Sequence, residues 1–397
     1  MFKKPFFLLI GLIIQFSCSA QINPHQSHEE IPVLSGAYQF DSYLPLLKDK
    51  RVALVANHTS LVNRTHLADS LLALDVSLIK VFSPEHGFRG KASAGEQISD
   101  EKDAKTGLPI VSLYGSHKKP TAEDLQGVDI VLFDLQDVGV RVYTYISTMT
   151  YVMEACAEND IPVVVLDRPN PNGHYVDGPV LEKDFSSFVG LHPVPLVHGM
   201  TVGEYARMLN GEGWLENGIK CELSVIPVQN YDHNTLYQLP VQPSPNLRDM
   251  NSIYLYPSLV LFEGTIVSIG RGTEHPFEVL GHPDFMIGSY TFKPEPNDGA
   301  KHPKHEGQQC YGTSLIGYTQ QAGIPDELKL GWLIAYYDYF KEKEDFFIPF
   351  FDKLAGTDKL RKQIISGMSE EEIRDSWEED LDSFEKVREK YLLYRDF

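Results

Sequence analysis

The sequence is short of cysteine, short of positive charge and free of the common phosphate-binding loops. Only four cysteines occur in 397 residues, at positions 18, 156, 221 and 310. No two stand in a Cys-x-x-Cys pair, the usual ligand spacing of a structural zinc site. Once Cys18 is set aside their number is odd, which makes no disulfide framework. Cys156 falls in a helical apolar pattern and reads as a core filler. GxGxxG and GxxxxGK[ST] are both absent, so nothing calls for a dinucleotide or a P-loop nucleotide. HExxH and GxSxG are absent too, which removes a zinc-hydrolase and a serine-hydrolase template. No metal or cofactor is expected. Lys and Arg number 35 against 55 Asp and Glu, a net charge of −20. That balance repels a polyanion and excludes sequence-independent binding to nucleic acid, though a small anionic ligand feels only the local field. With 42% hydrophobic and 23% charged residues the chain is an ordinary globular one. Its length predicts two domains.

The first twenty residues read as an export signal. Lys3 and Lys4 precede an apolar stretch from Phe6 to Phe16, and Cys18-Ser19-Ala20 supplies small residues before Gln21. Cleavage after Ala20 is expected, with lipid attachment at Cys18 as the alternative. Residues 21–35, with His25 and His28, read as a flexible, solvated segment. An exported, periplasmic protein follows, either free or tethered.

From Arg51 onward, strand and helix signals alternate. Short apolar runs cover 51–56, 77–82, 129–134 and 162–167. Continuous runs of this length suit a parallel sheet buried on both faces. Tyr145, Met149, Val152, Met153 and Cys156 recur at helical spacing between the last two. The series predicts an α/β fold, a Rossmann-like doubly wound parallel sheet over 36–240. Thr201 and Glu204 form a capping box that opens a helix ending near Gly211. Residues 241–397 are expected to be a smaller α+β domain completing a cleft. Strands are predicted at 258–262 and 265–269, and a helix at 327–343. A last helix opens at the Ser369–Glu372 box and carries Ile373, Trp377, Leu381, Phe384, Val387 and Tyr391.

The strand ends carry the chemistry. In an open α/β sheet the ligand crevice lies at the carboxyl ends of the strands, and here these ends bear Asn57-His58, Glu85-His86 and Asp134 to Asp137. Glu85 stands in a turn fixed by Pro84 and Gly87. Near Phe88 and screened from water, such a carboxyl has its pKa raised and can protonate a leaving oxygen; capping of backbone amides is the plainer use of it. His86 is its neighbour. Asp134, at a strand end, is placed to touch ligand, whereas Asp137 and Arg141 have i,i+4 spacing for an ion pair opening the next helix. In the second half, Gly270 and Gly272 flank Arg271, a guanidinium suited to a carboxylate, with Glu263 as its alternative ion-pair partner. His192, His198 and Asn246 are polar residues in Pro-rich loops.

At these residues a resemblance emerges. LVANHTSLV, FSPEHGFRG, DLQDVGVRVYTYISTM, LDRPNPNG, FVGLHPVPLVHGMTVGE, SPNL, YPSLVLFEGT and SIGRGTEHPFEVLG follow in order from Leu54 to Gly281. Together they resemble the NamZ-type exo-β-N-acetylmuramidases, a bacterial glycoside hydrolase family. The resemblance implies a Rossmann-like domain and a smaller second domain with the site between them. It also implies release of N-acetylmuramic acid from the non-reducing end of peptidoglycan fragments, with peptidoglycan-derived oligosaccharides as the binding partners and Glu85 as catalytic acid/base. On that reading His86, Asn57 and His58 orient Glu85 or bind sugar, as do Asp137, His198 and Glu263. Arg271, Arg141 and Arg89 are the cations available to the lactyl carboxylate. Candidates for a second catalytic carboxylate are Asp134, Glu263 and Asp137, in that order; attack by the sugar's own acetamido oxygen needs none. The competing readings are a non-catalytic muropeptide-binding lipoprotein and a metal-dependent amidase using His58, His86, Asp134 and Asp137. The sequence leaves the oligomeric state open.

Overall fold

Each of the four apolar runs is a strand, displaced by no more than a residue at its ends. After α1 (Phe40–Leu47), β1 (Val52–Ala56) leads into a short hairpin, β2 (Leu61–Val62) and β3 (Thr65–His66). Helix α2 (Leu67–Ala73), β4 (Leu78–Ser83), β5 (Glu101–Lys102), β6 (Pro109–Ser112) and β7 (Ile130–Asp134) follow. Then come α3 (Tyr145–Glu158), β8 (Val163–Leu166), α4 (Val202–Glu212) and β9 (Leu223–Ile226). The strand order is β5-β6-β4-β1-β7-β8-β9, parallel except for the edge strand β5. The chain winds outward from β1 to β4 and β6, then returns to β7 on the other side. That reversal makes the sheet doubly wound and opens a crevice beyond the carboxyl ends of β1 and β7.

The computed structural model describes Met1 and residues 31–85, 87–89, 101–342 and 345–397. The expected signal at 1–20 with Cys18, and His25, His28 and His86, lie outside the described residues. Val33–Phe397 form one compact unit. Successive strand residues face opposite ways, and both faces are covered. Val52, Leu54, Ile130 and Leu132 join a core with residues of α1 and α2. Ala53, Val55, Val131 and Phe133 join another with α3 and α4. This second core continues without a break into Leu255, Phe262, Phe340 and Phe384 of the C-terminal half. The halves therefore share one interior across the boundary expected at 240.

The C-terminal half holds α5 (Met250–Leu259), β10 (Val279–His282), β11 (Tyr290–Phe292) and β12 (Cys310–Ser314). It ends in α6 (Tyr318–Ala322), α7 (Gly331–Phe340), α8 (Phe351–Ala355), α9 (Lys359–Ser366), α10 (Glu370–Asp375) and α11 (Glu378–Arg388). Its three strands form an antiparallel sheet in the order β10-β12-β11. Three expectations fail here. Residues 258–262 are the end of α5 and a 3₁₀ turn, not a strand. Asp249 caps α5 by accepting from the Ser252 amide at 2.8 Å, and a helix buried on every side shows no period to distinguish it from a strand. Residues 265–269 make only isolated bridges, Thr265 with Phe347 and Ser268 with Gly281. The last helix is two, because the Ser376 hydroxyl bonds back to the Ile373 carbonyl at 2.5 Å, a local bond that bends helices. The Thr201–Glu204 capping box is present, and α4 ends at Gly213 in the left-handed conformation.

The Asp137–Arg141 pair does not form, and no helix begins there. Arg141 is fully buried and donates to four carbonyls, those of Pro179, Val194, Leu354 and Ala355, at 2.8–2.9 Å. Burial pulls its pKa down to about 9, so it stays charged at neutral pH. It thereby fastens two points of the connection between β8 and α4 to the end of α8. Arg141→Leu takes a charged donor from four carbonyls, of which Val194 keeps the Leu181 amide, and is expected to lower the unfolding free energy by about 3 kcal/mol or more. Denaturant melts check this; a loss below about 1 kcal/mol would mean that the carbonyls find other partners.

Candidate active site

Beyond the carboxyl ends of β4 and β7 lies a cavity of about 240 Å³. Glu85, Tyr114, Tyr143, Tyr145 and Phe188 line it from the sheet side, and Asn246, Tyr256, Glu263, Arg271 and Phe277 from the C-terminal half. Glu85 follows β4 directly. Its turn is closed by the Gly87 amide donating to the Pro84 carbonyl at 3.2 Å, with Gly87 at φ 76°, a conformation natural to glycine. Phe88 turns into the core against His66, with ring centroids 4.6 Å apart.

Tyrosines form one wall. Tyr145 opens α3, and its hydroxyl accepts from Asn57 Nδ2 at 2.7 Å. Asn57 Oδ1 in turn accepts from the Thr59 amide and hydroxyl. The Tyr143 hydroxyl donates to the Pro243 carbonyl at 2.8 Å, and His58 Nε2 bonds the Gln242 carbonyl at 2.9 Å. The 242–247 loop is thus pinned over the cavity by two residues of the sheet rim. Burial drives the Tyr143, Tyr145 and Tyr256 hydroxyls upward in pKa, and the charge of Glu85 raises Tyr145 and Tyr256 further. These hydroxyls are neutral hydrogen-bonding groups within electrostatic reach of Glu85.

The opposite wall carries an ion pair. Arg271 Nε donates to Glu263 Oε1 at 2.5 Å, with side chains 30% and 24% exposed. Desolvation works against the guanidinium, but Glu263 outweighs it and raises the pKa. Arg271 also lies over the Phe277 ring, 5.1 Å from its centroid. Phe277 holds φ 59°, a costly conformation for a bulky residue, and its backbone N–H donates to the Ile269 carbonyl at 2.8 Å.

The remaining candidates lie elsewhere. Asp134 is fully buried and chelated by Arg168, Nε to Oδ1 at 2.6 Å and Nη2 to Oδ2 at 2.9 Å; it does not line the cavity. Arg89 bridges Asp103 and Asp69. His198 is buried, and burial above all pulls its pKa down to about 3, so it is neutral. Asp137 lies behind the tyrosine wall with Oδ1 accepting from the Gly139 amide at 2.7 Å and Oδ2 unpartnered. The cavity thus gathers Glu85, Glu263 and Arg271, with Asn57 and His58 supporting its walls. Tyr114, Tyr143, Phe188, Tyr256 and Phe277 had no signal as site residues beyond their place in or near the quoted motifs. Among the described residues no three His, Cys, Asp or Glu side chains are grouped to hold a metal.

Two family models cover the chain: exo-β-N-acetylmuramidase NamZ, N-terminal, over 52–251, and its C-terminal counterpart over 254–394. The chain belongs to the NamZ family. It is 39% identical to the peptidoglycan β-N-acetylmuramidase NamZ of Bacillus subtilis (strain 168), over 98% of this chain and 97% of that one. Two crystal structures of DUF1343 family proteins from Bacteroides fragilis share the fold. One is 46% identical with a TM-score of 0.85, spanning 92% of this chain and all of its own. The other is 29% identical with a TM-score of 0.78, spanning 91% and 99%. The two NamZ models meet at 251–254, inside the first turn of α5, a little beyond the boundary read near 240.

Asp137 provides a pH test. Burial raises its pKa to about 7, above the unfolded value near 4. A raised acid binds its proton more tightly when folded, so its stabilising contribution is complete below about pH 4 and is lost as pH rises toward 7. Asp137→Asn, which keeps the shape without the charge, is expected to gain stability on wild type between pH 5 and 8, by up to about 4 kcal/mol. Parallel denaturation curves across that range would show no pH-dependent difference if the carboxyl is in fact ionised and solvated.

Proposed function

We propose that this protein is an exo-acting glycoside hydrolase that releases N-acetylmuramic acid from the non-reducing end of peptidoglycan fragments, with Glu85 as general acid. The observation that carries it is the pairing of Glu85 and Glu263 in one cavity, contributed by opposite halves of a chain in the NamZ family. Glycosidases flank the scissile bond with two carboxyl groups and pass through an oxocarbenium-like transition state. Glu85 protonates the leaving glycosidic oxygen, and Tyr145, fixed by Asn57, lines the cavity with it. Glu263, held by Arg271, faces the developing positive charge at the anomeric carbon. A volume of about 240 Å³, just below the range of about 300–1,000 Å³ for small-molecule sites, fits one terminal sugar and favours exo action. Phe188, Tyr256 and Phe277 add aromatic surface to the cavity lining.

Glu85→Gln is expected to reduce kcat/KM on a chromogenic β-N-acetylmuramide by about 10²–10⁴, with Glu263→Gln also strongly impaired. Near wild-type turnover by Glu85→Gln would remove it as the acid.

The protein is exported and acts in the periplasm, a reading supported by Lys3, Lys4, the apolar run behind them and Ala20. Mass spectrometry of the chain recovered from a bacterial host is expected to find an N-terminus at Gln21. A diacylglyceryl mass on Cys18 would show a tethered form instead, and an intact Met1 would remove export altogether.

A further inference from the structure

The proposed substrate end carries a lactyl carboxylate, yet the cavity presents little free positive charge. Its ionisable lining is Glu85, Glu263 and Arg271, plus tyrosines, and Arg271 is already paired with Glu263. Arg141 is committed to four carbonyls and Arg89 to two aspartates. Lys304 points its ammonium at the Phe262, Thr265 and Val267 carbonyls. An entering anion therefore meets two acids and one neutralised base.

Lys118 is placed differently. Its ammonium sits 4.5 Å from the centroid of the Phe188 ring, and Phe188 lines the cavity beside Val189 and Tyr114. Phe188 is held in turn by stacking on Tyr151, centroids 6.0 Å apart and planes 11° from parallel. The adjacent Lys119 is engaged by Glu154, Glu158 and Glu216, and His117 by Asp124. Lys118 makes no ion pair and no hydrogen bond among the described residues; its ammonium rests on the ring face. A cation fixed by an aromatic face yet free of a counter-ion has its position set in advance and its donors available.

We propose that Lys118, held against the Phe188 ring that lines the cavity, receives the lactyl carboxylate and so selects the carboxylated N-acetyl sugar over its uncharged analogues. This rests on the muramidase reading for the identity of the ligand, and on the charge distribution of the cavity for the residue.

Binding and turnover separate the two ideas. Calorimetric titrations would compare N-acetylmuramic acid with its lactyl methyl ester, for wild type, Lys118→Met and Lys118→Arg. Wild type is expected to prefer the acid. Lys118→Met should lose about fivefold or more in affinity for the acid and none for the ester, a loss suited to one partly exposed charged contact. Lys118→Arg should retain the preference, and raised salt should weaken it in both proteins that show it. Equal affinity of wild type for acid and ester, or an unchanged acid-to-ester ratio in Lys118→Met, overturns the assignment. Acid-selective binding without turnover of the chromogenic muramide would remove the hydrolase reading and leave Lys118 in place.

Discussion

A buried guanidinium without a carboxylate partner holds this molecule's two halves together. Arg141 distributes its charge over four carbonyls, two from the connection between β8 and α4 and two from the end of α8. Charged donors make hydrogen bonds roughly twice as strong as neutral ones, and four of them compensate a burial that one carboxylate would have met more simply. The surroundings are shaped to admit it. A Cβ on Gly356 would stand 2.7 Å from Arg141 Nη2, and one on Gly190 would stand 3.3 Å from Nε. Both glycines keep the backbone close enough for carbonyls to reach the charge. With this clamp and one continuous core, a cavity walled by both halves keeps fixed dimensions.

The rim of the sheet shows how the same residue type is given different work. Asp134 ends β7 and Glu85 lies just past β4, on strands two positions apart across β1. Asp134 is closed off by Arg168 in a bidentate pair and joins the ends of β7 and β8. Removing one partner of such a buried pair costs about 3–5 kcal/mol, which makes it a structural device. Glu85 has no such partner among the described residues and opens on the cavity. Asp167, one strand over, is a third case: its oxygens accept from the Gly203 amide and the Thr201 hydroxyl at the start of α4, and burial lifts its pKa to about 6. Position at a strand end brings a carboxylate to the rim; the neighbouring side chains decide whether it meets ligand.

That distinction marks how far the sequence was legible. The four central strands, α3, the α4 capping box and the doubly wound order follow from runs and periods that depend on local chain geometry alone. Glu85, Glu263 and Arg271 were legible as polar residues in Gly- and Pro-fixed turns. Asp134 and Glu263 look alike in sequence, because nothing local announces that Arg168 folds back onto Asp134 while Glu263 lines the cavity. The misread 258–262 segment has the same origin. Tyr256 and its neighbours are buried on all sides of α5, so apolar continuity carries no period. The tyrosine wall was hidden because Tyr143, Tyr145 and Tyr256 look like core residues in sequence, and they are core residues except for the hydroxyl each brings toward the cavity.

Phe277 connects the strain in the backbone to the chemistry of the cavity. A phenylalanine in the left-handed region costs about 1–3 kcal/mol, and the fold sustains it through contacts on both sides of the ring. Tyr256 meets it edge-on with centroids 5.0 Å apart, and Arg271 lies over it at 5.1 Å. An extended Phe277 would withdraw the surface on which the guanidinium rests. Arg271 would then have only Glu263 to hold it, a partly exposed pair whose worth is about 1 kcal/mol. The aromatic support is what keeps this ion pair at one place in the wall, and a fixed Glu263 is what a two-carboxylate mechanism requires opposite Glu85.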